Sequence, residues 1–159
     1  DDVESRGLGD VYKRQGINRV ILGSAAVKNQ QLVIDAVKEY GERIVVGIDA
    51  KDGMVRAEGW IDNSEINYIE LAKRMEDVGV KTVVFTDIDQ DGTLAGPNLK
   101  QLNDLTHEVS CNIIASGGVA VLKDIINLVE LDVYGAICGK AIYTGSLDLK
   151  QAIEVTNKI

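Results

Sequence analysis

The sequence predicts an α/β fold built on a parallel sheet. Three observations carry that expectation. From Asn18 onward, apolar runs of strand length alternate with amphipathic segments of helical spacing. The strand-like runs, such as RIVVGID at 43–49, are nearly all apolar rather than alternating, as strands covered on both faces are. Two of them, IASGGV at 114–119 and GAICGKAIY at 135–143, lead into glycine and enclose one amphipathic segment. Consecutive strand–Gly units of this kind form the phosphate grip after strands 7 and 8 of a (β/α)8 barrel. The predicted fold class is therefore α/β, a partial (β/α)8 TIM barrel holding about strands 4–8.

Each element has its own justification. Residues 19–24 form a β-branched strand, and 29–40 a helix with Val33, Ala36, Val37 and Tyr40 on one face. The strand at 43–49 follows. A helix is expected at 64–78, opened by the N-cap residue type Ser64, striped by Tyr68, Leu71, Ala72, Met75 and Val78, and stopped by Gly79. The remaining rhythm is strand 82–88, helix 98–109, strand 112–116, helix 121–131, strand 134–139 and helix 147–157. Five βα units in series imply parallel strands joined by right-handed crossovers. Residues 1–15, DDVESRGLGDVYKRQ, lack this rhythm. They are expected to be a non-matching, disordered or artefactual leader, leaving 16–159 as the C-terminal part of a single barrel domain. Since such a barrel takes about 250 residues, a fragment of a longer gene product is the expectation.

Composition narrows the function classes. The chain has 159 residues, 45% hydrophobic and 26% charged, which is ordinary for a globular domain with a core of its own. There is no run of 18 apolar residues and no signal-peptide pattern, so membrane and secretory roles are not expected, and a cytoplasmic location is. The net charge of −8 argues against nonspecific nucleic-acid binding. Cys111 and Cys138 show no metal-ligand spacing and read as reduced structural thiols. One histidine, His107, makes a Ser–His–Asp or zinc site a poor fit, and it is assigned no role.

The candidate site residues cluster at predicted strand ends. Gly117 and Gly118 would let backbone N–H groups approach an anion, and the segment after Gly139, beginning with Lys140, would aim a helix start at it. An ordinary turn is the alternative. VILGSAA at 20–26 repeats the pattern of AICGKAI at 136–142, which makes Gly23 and Ser24 a second grip and suggests a ligand with two phosphates. Asp49 ends RIVVGID, Asp87 ends TVVFTD, and Asp91 with Gly92 and Thr93 lies in the loop beyond. A carboxylate at a barrel mouth can act as general acid or base, or it can order its own loop. The long segment after Asp49 carries Trp60, the only tryptophan, readable as a lid that stacks on a flat ring or as a core anchor.

In order, VVGIDAKDG, EGW, TDIDQDGTLAGPN, IASGGV and GAICGKAIYTG resemble the aldose–ketose isomerase family of histidine biosynthesis over about residues 16–157. The resemblance implies an Amadori rearrangement of a bis-phosphorylated aminoaldose, ProFAR, to the aminoketose PRFAR, by a monomer without metal or cofactor. Asp49 resembles that family's general acid. Asp87 and Thr93 resemble residues near the reacting end, and Gly117, Gly118, Gly139 and Lys140 one phosphate site, with Gly23 and Ser24 half of the other. The family's general base, an Asp on barrel strand 1, has no counterpart in this sequence, so the fragment alone is expected to be inactive. Three alternatives stay open: the related cyclase subunit of imidazole glycerol phosphate synthase, an isomerase that also acts on phosphoribosyl anthranilate, and a non-catalytic phosphate-binding half-barrel.

Overall fold

The computed structural model describes residues 16–57 and 62–157. The expected leader at 1–15 lies outside the described residues, as does Trp60. Five short parallel strands form the body of the sheet: β1 (Val20–Leu22), β2 (Ile44–Lys51), β5 (Thr82–Asp87), β6 (Asn112–Ser116) and β7 (Gly135–Ile137), side by side in that order. Chain order and spatial order coincide, as they do for consecutive strands of a (β/α)8 barrel. The fold is α/β, and the sheet is part of such a barrel.

Two further strands correct the all-parallel expectation. β3 (Met54–Ala57) and β4 (Asp62–Asn67) form an antiparallel hairpin, and β3 pairs antiparallel with the C-terminal half of β2. The turn is Asp52–Gly53, with φ of 51° and 77°, between the paired residues Lys51 and Met54. Two central residues of positive φ make the tight turn whose twist suits a hairpin, and Asp-Gly favours it. β2 thus carries β1 beside Ile44–Val46 and β3 beside Asp49–Lys51. The hairpin also moves the next helix start. Ser64 lies within β4, and the helix α3 (Tyr68–Asp77) begins after Asn67, whose side chain accepts from the Ile69 amide at 2.9 Å. The expected stripe survives: Tyr68, Leu71, Ala72 and Met75 are buried.

Four of the other helices are held at their starts by a side chain of their own sequence. α1 (Ala25–Lys28) is a single turn after β1, and α2 (Gln30–Tyr40) starts at Asn29, which accepts from Leu32 N at 3.1 Å. α4 (Leu99–Glu108) starts at Asn98, which accepts from Gln101 N at 3.1 Å. α5 (Leu122–Glu130) is held by Asp124, whose carboxylate accepts from Ala120 N and Val121 N at 2.9 and 3.0 Å. α6 (Lys140–Thr144) is a short helix after β7, and α7 (Leu149–Thr156) starts at Asp148, which accepts from Gln151 N at 2.8 Å. Each cap satisfies amide donors that the first turn leaves without intrahelical partners.

The helices cover one face of the sheet. In register, Val46–Val83–Ile113 and Ile48–Phe85–Ala115 form rows on that face, and all six join the core with Leu71, Leu102 and Leu128 from the helices. Phe85, the only phenylalanine, packs on Tyr68 with ring centroids 5.0 Å apart. The sheet is strongly curled. Arg19, just before β1, donates to the hydroxyl of Tyr134, just before β7, at 3.3 Å, and its guanidinium lies 5.9 Å from that ring. Laid flat, those strands would be four spacings or about 19 Å apart.

Candidate functional site

Register decides which strand-end side chains meet. Asp49 pairs with Thr86, Thr86 with Ser116, and Ser116 with Ile137, so these four form one row across β2, β5, β6 and β7. Side chains alternate between faces along a strand, so the row lies on the face turned away from the helices. Asp87 belongs to the next row, beside Ala50, on the helix-covered face. It is only 6% exposed there. Its carboxylate accepts from the Asn98 side-chain amide at 2.6 Å and from Asp89 N at 3.0 Å, while its carbonyl accepts from the amides of Gln90 and Asp91. Asp49, two residues before the end of β2, and Asp87, which ends β5, therefore occupy opposite faces and different chemical settings.

The residues expected to grip an anion converge in space. Gly117, Gly118, Gly139 and Lys140 line one depression of about 100 Å³, together with Asp91, Gly92, Ser116 and neighbouring apolar groups. Lys140 is the only cation in that lining and Asp91 the only anion. Gly117 and Gly118 have φ of 93° and 81°, a region that favours glycine. Their lack of Cβ atoms serves the loops as much as any ligand. A Cβ on Gly118 would lie 2.2 Å from the Gly96 carbonyl oxygen, and one on Gly117 would lie 2.9 Å from that of Asp87.

The loop after β5 is held along its length. Lys51 pairs with Asp89 at 2.9 Å; the hydrogen bond to Asp89 and its charge raise the Lys51 pKa above the ordinary lysine value. Thr93 does not line the depression: its hydroxyl donates to Gln90 O at 2.7 Å and accepts from Ala95 N at 3.2 Å, ordering the loop. Lys140 Nζ donates to Gly92 O at 2.6 Å, and Gly96 N to Gly118 O at 3.0 Å.

Gly23 and Ser24 sit at the end of β1, on the far side of the arc from Gly139 and Lys140 at the end of β7. The repeated sequence pattern has a repeated shape. In both places a three-residue strand is followed by glycine and a short helix, α1 or α6. His107 is exposed on α4, its Nδ1 lying 2.8 Å from Asn103 O. Among the described residues no cluster of three or more His, Cys, Asp or Glu is placed to hold a metal, and no helix is long and apolar enough to cross a membrane. A larger cleft of about 270 Å³, lined by Arg19, Lys81, Cys111 and Tyr134 among others, lies at the opposite, N-terminal ends of the strands. That is the face of βα barrels where stability rather than chemistry resides.

Sequence reading missed Thr86. The signal was present as the residue before Asp87, but its partnership with Asp49 emerges only from the strand register.

The fold and this strand-end arrangement define a βα-barrel protein with a glycine-rich depression beside a row of carboxylate and hydroxyl side chains. The profile of the histidine biosynthesis protein family matches residues 9–148, and the chain belongs to that family. A relative from Clostridium botulinum strain Hall is 55% identical over 149 residues, covering 94% of this chain and 62% of the relative. A Clostridium kluyveri protein is 56% identical over 146 residues, covering 92% and 61% respectively. One from Clostridium novyi is 52% identical over 143 residues, covering 90% and 60%. All three are named 1-(5-phosphoribosyl)-5-((5-phosphoribosylamino)methylideneamino) imidazole-4-carboxamide isomerase. The chain thus spans about 62% of the length of the first of these curated relatives.

Proposed function

We propose that this chain supplies the acid-bearing and phosphate-gripping part of the histidine-biosynthesis isomerase that converts the bis-phosphorylated aminoaldose ProFAR to the aminoketose PRFAR. The observation that carries the reading is the placement of Asp49, Thr86 and Ser116 in one row beside the depression of Gly117, Gly118, Gly139 and Lys140. One substrate phosphate sits in that depression, and the other at Gly23 and Ser24 across the arc. Asp49 protonates the ribose ring oxygen as the ring opens to a Schiff base. A second carboxylate, which the family resemblance puts on barrel strand 1, removes the C2′ proton, and the resulting enolamine becomes the ketose. Proton transfer by positioned groups needs neither metal nor organic cofactor. Thr86, adjacent to Asp49 in register, orients the reacting end by hydrogen bonding. Asp87 holds the loop after β5 through Asn98 and Asp89, so its contribution to the reaction is positional. Asp91 and Gly92 border the bound phosphate, with Thr93 ordering their loop. The enzyme works as a cytoplasmic monomer on a small molecule.

The names of the relatives favour this reading over the cyclase alternative. Its test is direct. The chain is combined with the remaining part of the Clostridium botulinum relative, and conversion of ProFAR to PRFAR is followed by absorbance and chromatography. Turnover that depends on this chain supports the proposal; a soluble, folded assembly without turnover overturns it.

A further inference from the structure

We propose that Lys140 couples phosphate occupancy of the depression to the conformation of the loop between β5 and α4, acting as a positioning residue. This rests on the phosphate reading given above. The Lys140 ammonium donates to Gly92 O at 2.6 Å, joining residues 48 apart in sequence. It reaches from the end of β7 to the loop after β5, past the intervening strand β6. That loop is anchored near both ends: Asp87 holds the amide of Asp89, and Gly118 holds the amide of Gly96. Lys140 holds its crown, where Gly92 has φ of 68° and sits next to Asp91.

An ammonium has three donors, and Gly92 O takes one, leaving two for an anion in the same depression. Charge makes this arrangement consequential. A phosphate ester brings about −1.5 to −2 charges at neutral pH, into a lining whose ionised side chains are Lys140 and Asp91. The anion repels the Asp91 carboxylate and attracts Lys140. A bound phosphate therefore fixes the ammonium, the ammonium fixes Gly92 O, and Asp91 is set at a defined distance from the anion. Occupancy of the phosphate end is thereby transmitted to a loop that begins directly after Asp87, the last residue of β5.

The test uses the 159-residue chain, with inorganic phosphate as the probe. Binding is measured by calorimetry, and amide hydrogen exchange is followed across residues 89–96 with and without saturating phosphate. The expected result is phosphate-dependent slowing of exchange there by about 10-fold in the native chain. Lys140→Met should weaken phosphate binding on the order of 10- to 100-fold, the value of hydrogen bonds to a charged group. At concentrations that still saturate it, exchange at 89–96 should no longer respond. Lys140→Arg, which keeps several donors, should restore the response. If the native chain binds phosphate while exchange at 89–96 is unchanged, the coupling is wrong and the phosphate site stands. If Lys140→Met keeps the full response, the coupling runs through another group and the proposal fails. If the native chain binds no phosphate at millimolar concentration, the phosphate reading itself falls and takes the coupling with it. If the Met variant does not fold, Lys140→Gln, which lacks the charge, takes its place, and a full response in it overturns the proposal in the same way.

Discussion

Gly96 and Gly118 are locked backbone to backbone: the Gly96 amide donates to the Gly118 carbonyl at 3.0 Å, and a Cβ on Gly118 would lie 2.2 Å from the Gly96 oxygen. Two loops beside the glycine-rich depression therefore interlock at a point where no side chain fits. Gly118→Ala is expected to destabilise the fold by about 1–3 kcal/mol, since the clash with backbone adds to the strain at positive φ. Urea unfolding measures it. An unchanged midpoint would show that the loops separate freely. Loss of anion binding in such a variant would follow first from displaced loops, not from a blocked approach to the ligand.

Asp87→Ala is expected to cost about 2–3 kcal/mol in equilibrium unfolding, because a buried carboxylate with two donors is removed and the Asn98 amide loses its partner. Asn98→Ala should cost less than the sum suggests when combined with it, as the two share one hydrogen bond. Strict additivity in a double-mutant cycle would refute that link.

In the assembled isomerase, Asp49→Asn should lower kcat by about 10²–10⁴-fold while leaving KM nearly unchanged, because Asn keeps the size and cannot deliver a proton. Thr86→Val should reduce kcat by about 10-fold, the worth of one positioning hydrogen bond of about 1.4 kcal/mol. Near-normal kcat in Asp49→Asn would move the acid role elsewhere, with Asp91 the next residue to test.

Burial, and secondarily the charge of Glu76, pushes the Cys111 thiol up from 9.0 to about 11. Alkylation requires the thiolate, so at pH 8 Cys111 should react about 100-fold more slowly than an exposed thiol. The sign for stability follows from linkage. Since the folded value lies above the unfolded one, the stabilisation is complete below pH 9 and is lost as the pH rises toward about 11. Thermal melts from pH 8 to 11 should fall less steeply in Cys111→Ala than in the native chain. Cys138, also raised by burial, contributes in the same direction.

The buried strands were readable because an apolar run such as VVFTD has few other places to go, and the helices because their apolar residues recur at helical spacing, whereas the caps Asn29, Asn98 and Asp148 were not singled out. The hairpin was not read, although Asp52–Gly53 announces it: β4, DNSEIN, carries almost no apolar alternation, and its pairing comes from β3 rather than from its own pattern. Ser64 and Asn67 are both cap-type residues, and only that pairing chooses between them. Gly117, Gly118, Gly139 and Lys140 were legible as strand–Gly units, whose position at strand ends brings them together. The facing of the carboxylates was not. Aligning IVVGID with TVVFTD by their final Asp equates Asp49 with Asp87, whereas the sheet pairs Asp49 with Thr86. That one-residue offset is a property of neighbouring strands, and neither strand alone contains it.

The link from Arg19 to Tyr134 acts as a bowstring across the arc. It ties the two outer parallel strands at their feet, at the end remote from Asp49 and Lys140. The link holds those strands together at one end only. The tips, where Gly23 and Gly139 lie, are at the other end of the same strands. If the proposed phosphate sites at Gly23 and Gly139 are both filled, a rigid ligand bridging them would act as a gauge that sets the separation of the tips.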